Sequence, residues 1–138
     1  MRILQLFIVL LVLKTVFVVF LNYVDYFPPN FRADFLLGRK SYFYGAYAIA
    51  FFTHILAGPA SLIMGLILTN RKFLRRFPRW HRATGRVQVV NILFLVTPSG
   101  LWMAWYASTG SVAAAAFATL AVATAVCAAQ GLRAATKR

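Results

Sequence analysis

Acidic residues are scarce in this sequence of 138 residues, since Asp25 and Asp34 are the only two beside 15 Lys and Arg. Neither lies within a long apolar block. Proton pumps and cation antiporters usually relay protons through carboxylates inside the membrane, so this lack argues against both classes. Cysteine is equally scarce. Cys127 is the only one, which excludes an internal disulfide and a metal or iron–sulfur centre built on cysteines.

Apolar side chains, by contrast, are abundant. They make up 62% of the residues, charged side chains make up 12%, and the mean hydropathy of +0.74 is outside the range of soluble domains. They are concentrated in four long blocks, at 3–21, 42–69, 87–107 and 111–132. Each block has the length of about 20 residues that a helix needs to cross a hydrocarbon core of about 30 Å.

The blocks predict an all-α membrane protein, a four-helix transmembrane bundle that forms one domain over residues 1–138. Inside lipid every backbone amide and carbonyl must be hydrogen-bonded, and a run without alternating polarity meets this condition as a helix. We expect helices at about 3–22, 42–69, 87–107 and 111–132, an outer loop at 23–41 and a basic cytoplasmic loop at 70–86. A tight outer turn at 107–111 makes the last two helices antiparallel neighbours.

The net charge of +13 would suggest a nucleic-acid partner in a soluble protein, but its distribution indicates a membrane topology. Most basic residues lie between the second and third blocks, after the fourth block, or at Arg2. Only Arg32, Arg39 and Lys40 lie on the other side. This positive-inside pattern predicts that both termini are cytoplasmic in a bacterial inner membrane, and that nucleic acid is not a partner.

The basic loop alternates basic and apolar residues from Arg71 to Phe77, where Pro78 interrupts the pattern. We interpret it as a short amphipathic turn on the membrane surface, where anionic lipids add about 1 kcal/mol per nearby basic residue. The expected contacts with lipid headgroups are Arg75, Arg76, Arg79, His81, Arg82 and Arg86. Three roles stay open for His81: a cap at the start of the third helix, a phosphate contact, or a cofactor ligand near the cytoplasmic surface.

His54 is the main functional candidate inside the membrane, because an ionisable side chain is costly there. With Gly58 and Ser61 it falls at i, i+4 and i+7, so the three share one helix face with a groove of small residues. Such a groove admits the flat ring of haem or of a quinone, or it admits another helix. Pro59 removes the helical bond to the carbonyl of Ile55 and can bend the helix beside this site.

A haem bound by two histidines requires both at a similar depth. His54 lies about 22 Å along the helix from Thr69 at its cytoplasmic end, whereas His81 lies beyond that end, so the two cannot bind one iron. Met103 is level with His54 on the third helix. A histidine–methionine pair is therefore the geometry that stays open for haem b, with Met103 as an ordinary core side chain as the alternative.

Two features of the membrane helices indicate contact with another helix or with a bound group. The fourth helix consists largely of alanine, which gains little from lipid contact but allows close approach of another backbone, so we expect it to pack against protein. Lys14 has no acidic partner within the four blocks. It can snorkel to the surface, or meet Gln88, Asn91 or a bound anionic group.

Two segments carry a resemblance to a known family: His54-Ile-Leu-Ala-Gly-Pro-Ala-Ser-Leu-Ile-Met-Gly65 and Phe77-Pro-Arg-Trp-His-Arg-Ala-Thr-Gly-Arg86. From about Tyr42 onward the chain resembles the bacterial predicted-membrane-protein family called domain of unknown function 2306, most specifically in Pro78-x-x-His81-Arg82-x-x-Gly85-Arg86. The resemblance implies a polytopic bacterial membrane protein. Members usually continue into further helices, so the chain resembles a short variant or a fragment. Their histidine pattern is similar to that of membrane cytochromes b.

These observations predict a multi-pass membrane protein that acts as an accessory or scaffold-like component, together with other membrane subunits or further copies of itself. The alternative is a redox protein that binds haem b or a quinone at His54, with Gly58, Ser61 and Met103 around the ligand. A small-solute transporter is disfavoured, because four short-looped helices without an inverted repeat offer little of an alternating-access site. No catalytic constellation is complete, so we predict no catalytic residue and no metal site.

Overall fold

The computed structural model describes residues 2–107 and 110–136. The helices in this part of the chain are α1 (Arg2–Tyr26), α2 (Gly45–Thr69), α3 (Arg71–Arg76), α4 (Pro78–Asn91), α5 (Thr97–Trp105) and α6 (Ser111–Thr136). A short 3-10 helix (Asp34–Leu36) lies between α1 and α2, and a π-helical segment (Ile92–Val96) joins α4 to α5. The predicted turn residues Ser108 and Thr109 and the basic residues Lys137 and Arg138 lie outside the described residues.

Within the described residues, four helices are long and apolar enough to cross a membrane: Ile3–Tyr26, Gly45–Thr69, Pro78–Trp105 and Ser111–Thr136. The third of them comprises α4, the π segment and α5. Large apolar side chains on these helices are mostly exposed, as expected of surfaces that face lipid; Ile3 is 86% exposed and Phe94 is 69% exposed. The prediction of an all-α membrane protein with four membrane-spanning helices is confirmed.

The segment 70–86, predicted to be a loop, is helical apart from Asn70 and a break at Phe77. Asn70 starts α3, because its side-chain oxygen accepts from the amides of Lys72 and Phe73 at 2.9 and 3.2 Å. Pro78 then starts α4 at a position where its missing N–H costs nothing. The third span therefore begins nine residues earlier than the predicted Val87.

The other helix boundaries also differ from the predicted ones. α1 continues to Tyr26 instead of ending at Asn22, because its last turn packs on α2 through aromatic rings. α2 begins at Gly45, whose φ of +52° gives the chain a left-handed residue at the helix entrance. α6 runs to Thr136, past the predicted end at Leu132.

The best-buried side chains lie at one end of the bundle, where residues 27–44 fold over the ends of α1 and α2. We call this the aromatic end, and the opposite end, at residues 70–78, the basic end. The buried cluster at the aromatic end consists of Tyr26, Leu36, Tyr47 and Phe51. Phe35 stacks on Phe51 with ring centroids 5.5 Å apart, and the Arg39 guanidinium lies 4.3 Å from the Phe35 ring.

The helices pack unevenly around α2. Among the described α-helices, α1 has close backbone contact with α2 alone, whereas α6 packs mainly against α5 and its backbone does not come close to α1. α6 was expected to pack against protein, and it does so on the side facing α5, but none of its described residues is buried. The backbones of α1 and α6 are therefore separated by a gap.

Candidate functional site

His54 on α2 faces Ser99 on α5, with 3.1 Å between the imidazole Nδ1 and the Ser99 Oγ. Ser99 Oγ donates to the carbonyl of Leu95, one turn earlier in the chain. Since the hydroxyl proton is used there, the oxygen accepts from the imidazole, which places the ring proton on Nδ1. The Val96 carbonyl, 3.1 Å from the same Oγ, is a second acceptor for the Ser99 hydroxyl. In this tautomer Nε2 carries an unshared electron pair.

Close approach of α5 to this imidazole requires a glycine at position 100. A Cβ built on Gly100 would lie 3.1 Å from Cε1 and 3.4 Å from Nδ1 of His54. A Cβ on Gly58, which also shares the face of His54, would meet nothing within 4 Å. Gly100 was not among the predicted site residues, although its level in the membrane, close to that of Met103, could have indicated it.

Two side chains of α4 bind α2 on the side of His54 that faces the basic end. Gln88 Nε2 donates to the carbonyl and to the hydroxyl of Ser61, at 3.1 and 2.9 Å. Asn91 Nδ2 donates to the Ala57 carbonyl at 3.0 Å. Such bonds hold membrane helices together because lipid offers polar groups no other partner. The side-chain amides of Gln88 and Asn91 therefore both donate to α2. Lys14, which the sequence analysis paired with them as one alternative, is exposed on α1.

A cavity of about 600 Å³ lies beside His54, between α1, α2, α5 and α6. Its wall is mostly apolar, and the lining side chains with polar groups are Asn22, Tyr26, Arg39, His54, Thr97 and Thr124. An apolar cavity with a few placed polar groups is the usual form of a small-molecule site. α1 and α6 both line the cavity, and their backbones are not close to each other, which leaves a gap between the two helices beside it.

Of the four predicted cofactor residues, His54 and Met103 line this cavity, whereas Gly58 and Ser61 are not among its lining residues. Ser61 faces α4 instead, where it accepts from Gln88. Ser61 thus contacts another helix, whereas Gly58 has open space beside it. The space for a ligand lies closer to the aromatic end, between α2 and α5.

Thr97 is a cavity residue that the sequence analysis missed. Its side chain is 9% exposed, and its Oγ1 has no hydrogen-bond partner among the described residues. Thr15 and Thr124, by comparison, donate to the carbonyl four residues earlier, at 2.9 and 2.8 Å. Thr97 follows the π segment, and its backbone N–H bonds to the carbonyl of Ile92, five residues earlier. The wider turn moves the preceding carbonyls from their α-helical positions.

The first turns of α4, which begins at Pro78, lie against the end of α2. One turn into α4, His81 Nε2 donates to the Leu68 carbonyl at 3.1 Å, and one turn later a Cβ on Gly85 would lie 3.8 Å from the Leu68 side chain. Residues 51–138, which contain this segment and His54, match a family of predicted membrane proteins, domain of unknown function 2306 (DUF2306). The chain belongs to this family. No curated protein and no solved structure matches the chain.

In this DUF2306 member His81 caps the end of α2, a role that was not among the three considered. Leu68 is one of the last four residues of α2, whose carbonyls have no helical N–H partner, and the imidazole supplies the missing donor. His81 does not cap the start of the third span, because that helix begins at Pro78 and already includes His81. Its Nε2 is thus bound to protein.

The remaining residues expected to meet lipid headgroups share one property, since their side chains are all exposed. They are Arg75, Arg76, Arg79, Arg82 and Arg86. Asn70 and Pro78 place these side chains on two successive helices at the basic end, so they project from a folded surface. Their contact with anionic lipid remains a prediction.

Proposed function

We propose that this DUF2306 member binds a lipid-soluble ring compound of the hydroquinone or quinone class in the cavity beside His54. The observation that carries the proposal is the hydrogen-bond chain from His54 through Ser99 to Leu95. It fixes the ring orientation and leaves the electron pair of Nε2 as an acceptor. An acceptor held in the wall of an apolar cavity suits a phenolic O–H, and the apolar walls suit the ring that bears it.

The size and position of the cavity favour the same class of ligand. A volume of about 600 Å³ accommodates a substituted ring with a short tail and lies within the range of small-molecule sites. The opening between α1 and α6 faces the side of the bundle where lipid is expected. A molecule dissolved in the bilayer therefore has a shorter path to His54 than a molecule dissolved in water.

The test is equilibrium binding of a short-tailed hydroquinone, kept reduced, to the purified protein in lipid nanodiscs. The wild-type protein is expected to bind, and His54→Leu to bind at least about tenfold more weakly, because a lost hydrogen bond of about 1.4 kcal/mol corresponds to a factor of ten. Gly58→Ala is the matched control on the same helix, since the added methyl group meets nothing within 4 Å. Equal binding by His54→Leu, or none by the wild type, would contradict the proposal.

Haem b is a second candidate ligand, favoured by the presence of Met103 in the same cavity as His54. Histidine and methionine together are a known pair of axial haem ligands. Purified protein with haem b would be coloured, with a Soret band that shifts on reduction by dithionite and disappears in His54→Ala. A colourless preparation would remove the haem candidate and leave the hydroquinone candidate in place.

An accessory role in a larger membrane assembly is the other function that we propose, supported by the exposed Lys14. An ammonium group among lipid tails costs about 2.5–3.5 kcal/mol on insertion scales, and a polar contact from a neighbouring subunit or a further copy would offset this cost. α1 has room for such a neighbour because, among the described α-helices, its backbone is close to α2 alone. Native mass spectrometry in several detergents should detect a partner or an oligomer, whereas a stable monomer in all of them argues against the role.

A further inference from the structure

We infer that the side-chain amide of Asn22 on α1 is a second hydrogen-bonding contact for the ligand of the cavity, in addition to His54, so that the preferred ligand is a ring with oxygen atoms at two positions. This inference rests on the proposed function. It deepens that proposal by assigning a specificity residue on a second helix and by separating rings with two oxygens from rings with one.

Asn22 lies at nearly the same level of the bundle as His54. The hydroxyl of Tyr23 on α1 donates to the carbonyl of Ile55 on α2, and Asn22 and His54 are the residues directly before these two in the chain. α2 begins at Gly45, so this level lies about 15 Å along α2 at 1.5 Å per residue. Asn22 is therefore placed beside the middle of a membrane-spanning helix.

Asn22 is also accessible from the cavity. It is a lining residue, as His54 is, and it is exposed. Its amide forms no hydrogen bond to the described part of the chain, whereas the amides of Gln88 and Asn91 both donate to groups of α2. Lipid tails offer an amide no partner, and an unpaired amide among them is costly. A ligand in the cavity supplies the partner that the protein does not.

Asn22 and His54 offer different groups to a ligand. The imidazole presents an electron pair at Nε2 and accepts, whereas the amide of Asn22 has two N–H donors and a carbonyl acceptor. A ring with a single hydroxyl that donates to His54 leaves Asn22 without a partner. A hydroquinone carries a second phenolic oxygen on the far side of the ring, and this oxygen both donates and accepts. Its two oxygens therefore satisfy the two residues.

The experiment measures equilibrium binding of two compounds in nanodiscs, a short-tailed hydroquinone, kept reduced, and the monophenol with the same tail. The wild type is expected to bind the hydroquinone about tenfold more tightly, for one additional hydrogen bond. Asn22→Leu, which nearly keeps the size of the side chain, should lower hydroquinone binding to the level of the monophenol and leave monophenol binding unchanged. His54→Leu should weaken the binding of both compounds.

Gln5→Leu is the matched control for Asn22→Leu. It removes an exposed amide from the same helix, at a position that does not line the cavity. It should bind the hydroquinone and the monophenol like the wild type. Any loss of hydroquinone binding in Asn22→Leu that Gln5→Leu does not share is then due to the position of the amide in the cavity wall.

The outcomes separate the two proposals. If His54→Leu weakens hydroquinone binding but Asn22→Leu binds the hydroquinone as tightly as Gln5→Leu does, the role of Asn22 is wrong and the proposed function stands. If the wild type does not bind the hydroquinone, both are wrong. Equal weakening of both compounds by Asn22→Leu would indicate a change of cavity shape and would also contradict the inference. Should Asn22→Leu fail to fold, Asn22→Ala carries the same expectation in the same comparison.

Discussion

The hydroxyl of Tyr23 on α1 donates to the carbonyl oxygen of Ile55 on α2. That carbonyl lacks its usual helical donor, because Pro59, four residues later, has no N–H. A proline inside a membrane helix exposes a polar backbone group to lipid unless a neighbouring group pairs with it. Here the neighbour is α1, whose close backbone contacts with described α-helices are with α2 alone. The proline that weakens α2 thus provides the acceptor that fixes α1 to it.

Removal of the Tyr23 hydroxyl should therefore destabilise the bundle in a way that depends on Pro59. We expect Tyr23→Phe to lower the free energy of unfolding by about 0.6–1.5 kcal/mol, the usual range for a hydrogen bond between membrane helices. In a Pro59→Ala background residue 59 supplies an N–H to the Ile55 carbonyl, so Tyr23→Phe should cost much less. Unfolding titrations of the four proteins measure this coupling. An equal cost in both backgrounds would mean that the hydroxyl does not act through Pro59.

An added methyl group at Gly100 should disturb His54 without unfolding the helix. In Gly100→Ala the new Cβ would lie 3.1 Å from Cε1 of His54, closer than ordinary van der Waals contact, so the imidazole must move. We expect hydroquinone binding to fall about tenfold or more while helix content by circular dichroism stays unchanged. Gly58→Ala is the control in the adjacent helix, and it should leave both quantities near the wild-type values. Unchanged binding by Gly100→Ala would show that the position of the imidazole is unimportant.

The membrane-spanning helices could be predicted because their signal lies in local composition. A run of about 20 apolar residues without alternating polarity has one stable form in lipid. The ends of the helices could not be predicted in the same way, since they depend on tertiary contacts and caps. The segment predicted as a loop forms two helices, which start at the Asn70 cap and at Pro78. α1 extends to Tyr26, whose ring packs on α2.

The candidate site was predictable only in part. His54 is recognisable because an ionisable residue in an apolar block is rare, and depth counted along the helices placed Met103 at its level. The period of an ideal helix also placed Gly58 and Ser61 on the face of His54, but it could not show that Ser61 bonds to Gln88 of α4. Thr97 was missed because its free hydroxyl results from the π segment, for which the sequence has no reliable pattern.

Asn91 should contribute more to stability than a polar residue on the lipid-facing surface. Its side chain is 8% exposed and donates to the Ala57 carbonyl at 3.0 Å, so Asn91→Leu removes a link between α4 and α2 and must fit a branched side chain in its place. We expect a loss of about 1 kcal/mol or more in the free energy of unfolding. Gln130→Leu, at an exposed position of α6, is the control and should cost nothing measurable. If Gln130→Leu lowered the free energy of unfolding as much as Asn91→Leu does, the hydrogen bond between α4 and α2 would not be the cause of the loss.

The orientation of the chain should follow its positive charges. The exposed arginines of α3 and α4 gather at the basic end, and retention of such charges on the cytoplasmic side is the main determinant of topology for short loops. Reporter fusions in a bacterial host should therefore give a periplasmic signal after Lys40 and cytoplasmic signals after Arg76 and Arg138. The preference for this orientation should weaken in a variant that combines Arg75→Gln, Arg76→Gln, Arg79→Gln and Arg82→Gln. Four substitutions at exposed polar sites of α6 should leave the orientation unchanged. A periplasmic signal after Arg76 in the unmodified chain would reverse the orientation, and with it the expectation that these arginines meet the anionic lipids of the cytoplasmic leaflet.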